Sequence, residues 1–178
     1  MRMRRKKHLE ERIEACSNYL SVARYEDLNF ESAREHRSCL DFEELFGNSN
    51  PVYLEVGCGK GQFVCELAKL HPEHNYIAVE KVGNVIVAAA EHAQREEIPN
   101  VRFVQSGAEY LECFIPDNSI SGIYLNFSCP YPKKAYESHR LTSERFLNIY
   151  KHIMKKGAEI HQKTDNMHFF EFSIEEFT

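Results

Sequence analysis

The pattern of hydrophobic and polar positions changes once along the chain. In the first part, Leu9, Ile13 and Leu20 fall roughly on one face of a helix, so residues 6–46 are predicted to be helical. The Gly-Asn-Ser-Asn-Pro segment at 47–51 then interrupts this pattern. Beyond it, short apolar runs alternate with segments of helical spacing, which indicates a different architecture for the rest of the chain.

The second part of the chain alternates strand-like and helix-like segments. Apolar runs of strand length occur at 52–56, 76–79, 101–104, 120–125 and 158–162. Helical spacing predicts two helices at about 63–70 and 84–95. A third helix is predicted to be capped by Thr142 and ended by Gly157, and a last one is marked by Phe170, Ile174 and Phe177. This alternation predicts a mainly parallel α/β sheet with helices on both faces, whose ligands bind just beyond the strands.

Length and composition are those of an ordinary globular chain. Its 178 residues, 43% hydrophobic and 28% charged, fit one domain built around a single core. No apolar run approaches the roughly 18 residues that a membrane span needs. The six cysteines form no C-x-x-C pair, so we expect reduced thiols, a cytoplasmic location and no metal site. Among oligomeric states, a monomer is favoured.

Charge is distributed unevenly, although the net charge is -5. Basic residues cluster at the N-terminus and again after residue 132: Arg2, Arg4, Arg5, Lys6 and Lys7 in the first group, and Lys133, Lys134, His139 and Arg140 in the second. Local patches of this kind contact phosphate groups, but charge runs are also common on solvated surfaces. We therefore divide the chain into a basic arm with a helical lead-in, 1–50, and a main domain, 51–178.

A glycine-rich turn follows the first strand of the main domain. It reads Glu55-Val56-Gly57-Cys58-Gly59-Lys60-Gly61. Glycine at every second position lets the backbone turn tightly and approach a ligand. The E-x-G-x-G-x-G spacing resembles that of class I methyltransferases more than that of dinucleotide sites, and Glu80 ends the next strand, where a carboxylate can bind ribose hydroxyls. These residues predict a nucleoside-cofactor site, with a purely structural turn as the alternative.

Two polar segments follow later strands. The loop after the fourth strand runs from Asn126 through Cys129 and Tyr131 to Lys133, and its two prolines keep it extended. Tyr131 can stack on a base while Lys133 contacts a phosphate, or Tyr131 packs into the core. After the fifth strand, Asp165 can accept hydrogens from the Watson–Crick edge of guanine, or it forms an Asx turn.

Together these segments resemble the bacterial tRNA (guanine-N7-)-methyltransferases along the whole chain. The segments that carry the resemblance are MRMRRKK, YLEVGCGKGQF, NYIAVE, IYLNFSCPYPKK, HRLTSERFL and IHQKTDNMHFFEFS. The resemblance implies a Rossmann-like class I methyltransferase fold, S-adenosyl-L-methionine as cofactor and tRNA as partner. It also implies methylation of N7 of a guanine in the tRNA variable loop.

The resemblance assigns roles to particular positions. It implies that Glu55 and Glu80 contact the cofactor and that Lys133 and Asp165 contact the RNA. The full set of expected cofactor-binding residues is Glu55, Gly57, Gly59, Gly61, Glu80, Gly107 and Asn126. The substrate is expected at Tyr131, Lys133 and Asp165, and the catalytic positions are Asp165 and Cys129.

The chain departs from the family pattern in three places. The family has an aspartate and a tryptophan in an F-S-D-P-W-P-K loop, where this chain has Cys129 and Tyr131. That aspartate has a cofactor-binding and catalytic role in the family. A further family aspartate, a contact to adenosine, is replaced by Gly107. Family members also continue past the position of Thr178, so C-terminal strands are expected to be missing here.

Other functions fit the same residues. A polar-x-Pro-aromatic pattern, here at 128–131, binds exocyclic amino groups in other methyltransferases, so an amine N-methyltransferase is an alternative. Cys129 as a nucleophile for carbon methylation needs a base or cation, for which Lys133 is the obvious sequence neighbour. With Gly107 and Cys129 in place of aspartates, a non-catalytic relative that binds tRNA or cofactor is a third possibility.

Overall fold

The computed structural model describes residues 7–23, 25 and 30–178, which form one six-stranded sheet with surrounding helices. The strands are β1 (Leu20–Val22), β2 (Val52–Val56), β3 (Asn75–Glu80), β4 (Val101–Gln105), β5 (Ile120–Asn126) and β6 (Met154–Lys163). Their order is β1-β4-β3-β2-β5-β6, and all neighbouring pairs are parallel. The order reverses at β2, which places a crevice at the carboxyl ends of β2 and β5.

Eight helices accompany the sheet in the described part of the chain. They are α1 (Leu9–Ala15), α2 (Phe30–Glu35), α3 (Phe42–Phe46), α4 (Gln62–Leu70), α5 (Gly83–Arg95), α6 (Leu111–Phe114), α7 (Glu144–Ile153) and α8 (Met167–Phe177). Short 3₁₀ segments lie at Ala108–Tyr110 and Lys134–His139. Within the described ranges, none of the helices is long and apolar enough to cross a membrane.

Two hydrophobic clusters lie on opposite faces of the sheet. Because side chains alternate along a strand, Ile77 and Val79 of β3 belong to the cluster that contains α7. Their neighbours Tyr76 and Ala78 belong to the cluster that contains α4 and α5. A parallel strand that is buried on both faces is apolar at nearly every position, as 76–79 is. The prediction of a mainly parallel sheet with helices on both faces is confirmed.

The five strands predicted for the main domain are all present, but two details near the last one are wrong. Gly157 lies inside β6 with a φ of 83° rather than ending a helix, because α7 already ends at Ile153. Thr142 does not cap α7, since Ser143 occupies that position. The Thr142 hydroxyl instead hydrogen-bonds the Ser173 hydroxyl of α8 at 2.8 Å, which ties α8 to the chain ahead of α7.

The long helical region predicted over 6–46 is also wrong. Helices α1 to α3 are short and separate, and Leu20–Val22 forms β1, which pairs with β4 at the edge of the sheet. The backbone N–H of Phe103 donates to the Tyr19 carbonyl at 2.7 Å just ahead of this pairing. Ladder hydrogen bonds to an available strand edge outweigh a weak helical pattern.

The first helix packs as its spacing predicts. Leu9 and Ile13 of α1 contact the cluster that contains α5. The Arg12 guanidinium adds a two-point contact to the Glu91 carboxylate, with both N–O distances at 2.6 Å. Lys7 of the basic arm is exposed, whereas Arg2, Arg4, Arg5 and Lys6 lie outside the described residues.

The turn between β2 and α4 requires glycine for two different reasons. Gly57, Gly59 and Gly61 have φ values of 79°, 56° and 72°, in the region that side chains disfavour. A Cβ at Gly61 would also lie 2.7 Å from the Cβ of Ala89 and 3.1 Å from the ring of Phe103. Nothing lies within 4 Å of a Cβ at Gly59. Gly61 therefore also sets how closely α4 approaches α5 and β4.

We expect Gly61→Ala to lower the free energy of unfolding by about 3 kcal/mol, because left-handed backbone and overpacking each cost roughly 1–2 kcal/mol or more. Gly59→Ala shares the positive φ without the clash and should cost only about 1 kcal/mol. Urea unfolding followed by circular dichroism measures both changes. Equal losses in the two variants would show that contact with Ala89 does not limit this turn.

Candidate active site

A cleft of about 570 Å³ lies at the carboxyl ends of β2 to β5. Its walls come from the ends of these four strands and the loops after them: Gly57 after β2, Glu80 at the end of β3 and Lys81 after it, Ser106, Ala108 and Glu109 after β4, and Phe127, Ser128, Cys129 and Tyr131 after β5. The segment leading into α7 adds His139, Leu141, Arg145 and Phe146. The volume falls in the range of small-molecule sites, about 300–1,000 Å³.

The glycine turn forms the wall at β2. The N–H groups of Gly57 and Cys58 both donate to the Val79 carbonyl, at 2.8 and 3.1 Å, which fixes the turn against β3. Gly57 lines the cleft itself. Gly59 and Gly61 are not among the lining residues, so their contribution in this structure is the shape of the turn.

Glu55 is a buried carboxylate that comes directly before this turn. It is only 3% exposed, and its Oε1 accepts a hydrogen bond from Asn126 Nδ2 at 3.0 Å. Its Oε2 is buried and has no hydrogen-bond partner among the described residues. Burial raises the pKa of Glu55 to about 7, and the bond from Asn126 opposes that rise. A half-satisfied buried carboxylate beside a cleft is suited to receive a donor or a cation.

Glu80 stands where the sequence predicts a ribose-binding carboxylate. It ends β3, is half-buried and lines the cleft. Its Oε1 accepts the Val82 N–H at 2.9 Å, which restricts the side chain to one orientation. A carboxylate fixed in this way can accept hydrogen bonds from the hydroxyls of a ribose.

The loop after β5 is strained. Phe127 and Tyr131 have φ values of 50° and 41°, a region that residues other than glycine rarely adopt. The Phe127 N–H donates to the Lys163 carbonyl at 2.8 Å, which anchors the start of the loop to β6. The Ser128 hydroxyl is buried and has no hydrogen-bond partner within the described chain. Such strain costs about 1–3 kcal/mol per residue and persists only where the surroundings enforce it.

Arg140 helps to hold the strained loop in this conformation. It is 2% exposed, and its Nε and Nη2 donate to the carbonyls of Pro130 and Tyr131 at 2.9 and 3.1 Å. Its guanidinium lies 4.3 Å from the ring centroid of Phe172, on α8. Arg140 therefore fits neither interpretation of the second basic group, a phosphate contact or a solvated surface, because its donors are engaged by backbone carbonyls and by Glu137. Because arginine is rarely this buried, an arginine in a basic segment predicts a surface position.

The remaining residues predicted to act on the substrate fall into two groups, one inside the cleft and one outside it. Cys129 and Tyr131 line the cleft. The Tyr131 ring meets the His139 ring edge-on at 5.7 Å, at the rim rather than in the core. Lys133 and Asp165 are exposed and do not line the cleft. They follow β5 and β6 on the same edge of the sheet, where a large substrate can reach both.

Gly107 follows β4 in ordinary extended backbone, with φ -74° and ψ 150°. Its neighbours Ser106 and Ala108 line the cleft. Sequence reasoning missed one further lining residue, Glu109. It belongs to no spacing pattern, and only the folded loop brings it to the cleft.

The charge on Glu55 should make stability depend on pH. Since its pKa rises from 4.5 to about 7 on folding, the folded state holds the proton more tightly than the unfolded state. The carboxylate therefore destabilises the ligand-free protein as pH rises from about 4.5 to 7, by roughly 3 kcal/mol at most. Glu55→Gln should raise the free energy of unfolding at pH 8 by about 2 kcal/mol more than at pH 5.

Urea unfolding of the ligand-free protein at the two pH values measures this difference. Glu43→Gln, an exposed glutamate on α3, is the matched control and should show the same change at both pH values. A Glu55→Gln effect that does not vary with pH would contradict the raised pKa.

Comparison with known proteins places this cleft in a family context. The family described as "Putative methyltransferase" matches residues 49–178. Two solved methyltransferase structures share the fold at 17% identity: an antibiotic-related methyltransferase, with a TM-score of 0.56 over 78% of this chain and 76% of that one, and an S-adenosylmethionine-dependent methyltransferase from Aquifex aeolicus, with a TM-score of 0.51 over 78% and 77%. At that identity, these structures support the fold alone.

Sequence relatives are much more similar. A tRNA (guanine-N(7)-)-methyltransferase from Geobacillus thermodenitrificans is 41% identical over 98% of this chain and 76% of its own length. The enzyme of the same name from Listeria innocua is 46% identical over 77% of this chain and 64% of its own length. The chain thus spans about two thirds to three quarters of these relatives. With similarity at this level over nearly all of its residues, it belongs to the tRNA (guanine-N(7)-)-methyltransferase family.

Proposed function

We propose that this chain transfers the methyl group of S-adenosyl-L-methionine to N7 of a guanine in the variable loop of tRNA. The observation that carries the proposal is 41% identity to a tRNA (guanine-N(7)-)-methyltransferase over 174 residues. The cleft supports it independently, because its acidic residues and glycine turn lie at the switch point of the sheet.

The residues around the cleft fit this cofactor. Glu80 would hold the ribose hydroxyls, and Glu55 with Asn126 would hold the positively charged part, because Glu55 Oε2 lacks a partner in the described chain. The buried Ser128 hydroxyl, also without a partner there, offers one further polar contact. When bound, the cofactor supplies an electrophilic methyl group on a sulfonium centre. A cation near Glu55 also favours the charged carboxylate, so affinity should rise with pH through about 7.

The target atom determines what the protein must do. Guanine N7 carries an exposed lone pair and loses no proton before attack. The residues of the site therefore position the base and exclude water, and positioning alone can contribute about 7–11 kcal/mol. We assign Tyr131 to stacking on a base, Lys133 to a phosphate and Asp165 to the donors of the guanine edge. Cys129 is a poor hydrogen-bond acceptor compared with a carboxylate, so the burden of orientation shifts to these neighbours.

The remaining parts of the chain serve RNA binding in this proposal. The arm and lead-in, 1–50, would contact the phosphate backbone through the basic residues near the N-terminus. The catalytic domain is 51–178, and the family match begins close to that boundary, at residue 49. The six cysteines are free thiols, which suits the reducing cytoplasm where tRNA is modified. A monomer without a metal ion remains our expectation.

Tritiated methyl transfer to unmodified tRNA, followed by identification of the product nucleoside, tests the function. We expect 7-methylguanosine. A tRNA in which the variable-loop guanine is replaced by adenine should receive no label. Label on an exocyclic amino group, or on a free amine without RNA, would instead establish the amine N-methyltransferase. Cofactor binding without transfer to any of these would establish a non-catalytic binder.

A change at position 129 tests how the loop orients guanine. Cys129→Asp restores the charged acceptor found in the family and should raise kcat/KM for tRNA about tenfold, because a hydrogen bond to a charged group is worth about 1.5–3 kcal/mol. Cys39→Asp introduces the same charge at an exposed cysteine outside the cleft and should leave kcat/KM unchanged. Unchanged activity of Cys129→Asp would show that position 129 does not orient the substrate, and lower activity would show that a charged acceptor there hinders the reaction.

A further inference from the structure

The side chain of Glu109 occupies the space that a side chain at position 107 would need. A Cβ built on Gly107 would lie 2.5 Å from Glu109 Oε2, 2.6 Å from its Cδ and 2.9 Å from its Oε1. The Glu109 carboxylate is thus folded back over the Cα of Gly107. It can lie there only because position 107 is glycine, since Cβ atoms do not approach other heavy atoms this closely.

This carboxylate is available to a ligand. Glu109 is half-buried and lines the cleft. Within the described residues, its carboxylate has neither a hydrogen bond nor an ion pair, unlike Glu80, which is engaged by the Val82 N–H. The Glu109 carboxylate thus faces the cleft without a partner in the described protein. Its acceptor oxygens are open to a donor on a ligand.

Its place along the edge of the sheet indicates which part of a ligand it meets. The strands run β4-β3-β2-β5, so the loop of Glu109 is next to Glu80 and on the side away from Cys129. With the ribose at Glu80 and the reacting group at the loop after β5, the base of a nucleoside extends towards β4. Adenine presents an N6 amino group, which is a hydrogen-bond donor, and a carboxylate accepts from such a donor.

We propose that Glu109 binds the adenine amino group of the cofactor and thereby supplies from two residues downstream the acidic contact that Gly107 lacks. The inference rests on the proposed use of S-adenosyl-L-methionine. Glycine at 107 then has a role of its own, because it makes room for the Glu109 carboxylate at the base-binding end of the cleft.

Calorimetric titration with two product analogues tests the contact without any methyl transfer. One ligand is S-adenosylhomocysteine, and the other is the same molecule with hydrogen in place of the 6-amino group. The unaltered chain should prefer the amino compound about tenfold, in line with a hydrogen bond to a charged group. Glu109→Ala should reduce the preference to within about twofold and should leave the affinity for the deaminated analogue nearly unchanged.

Two further variants separate this contact from a general effect. Glu171→Ala, at an exposed position of α8, should retain the full preference. The double variant Gly107→Asp, Glu109→Ala should regain at least part of it, because an aspartate side chain then has the space that Glu109 leaves. Thermal unfolding of each variant verifies that the proteins compared are folded.

The results distinguish this inference from the function on which it rests. Equal weakening of both ligands by Glu109→Ala, or an unchanged preference, would overturn the assignment of Glu109. Failure of the unaltered chain to bind either ligand would overturn both the assignment and the cofactor proposal. A preference that depends on Glu109 without any 7-methylguanosine from tRNA would retain the adenine contact and reject only the reaction.

Discussion

The pairing of β2 with β3 on one side and β5 on the other is the constraint on which the site depends. The chain leaves β2 towards β3 and β4, and later returns to the opposite side for β5. The loops after β2 and β5 therefore diverge and leave a crevice between them. The same central position buries β2 on both faces, so Glu55 is held in an apolar setting, where Asn126 from the adjacent strand donates to it. Sheet topology thus produces both the cleft and the buried carboxylate beside it whose pKa is raised.

The features that the sequence predicts well are those encoded by neighbouring residues. The strand 76–79 is apolar throughout because both of its faces are buried, and the glycines at 57, 59 and 61 are required by local backbone angles. Their positions at the strand ends follow from the general behaviour of parallel sheets. The sequence therefore predicts the sheet and the location of the cleft.

The features that it misses depend on contacts between distant parts of the chain. β1 forms because β4 has an edge that can pair with it. No pattern within the short segment Leu20–Val22 indicates this pairing. The sequence predicts a surface position for Arg140, but in the structure Phe172 of α8 and the carbonyls of the β5 loop surround its guanidinium. Substrate specificity belongs to this second class, since remote structures with 17% identity share the fold while much closer sequence relatives indicate the reaction.

The way in which Arg140 holds the β5 loop has a consequence for how this family can vary. The hydrogen bonds with which it holds the loop end on the carbonyls of Pro130 and Tyr131, and every residue type carries that carbonyl. The backbone path of the loop therefore does not depend on which side chains the loop carries. Cys129 and Tyr131 can replace other residues without releasing the backbone, so selection can exchange the chemistry of the cleft one side chain at a time. The arginine itself lacks that freedom, because lysine has no planar fork with which to span two carbonyls.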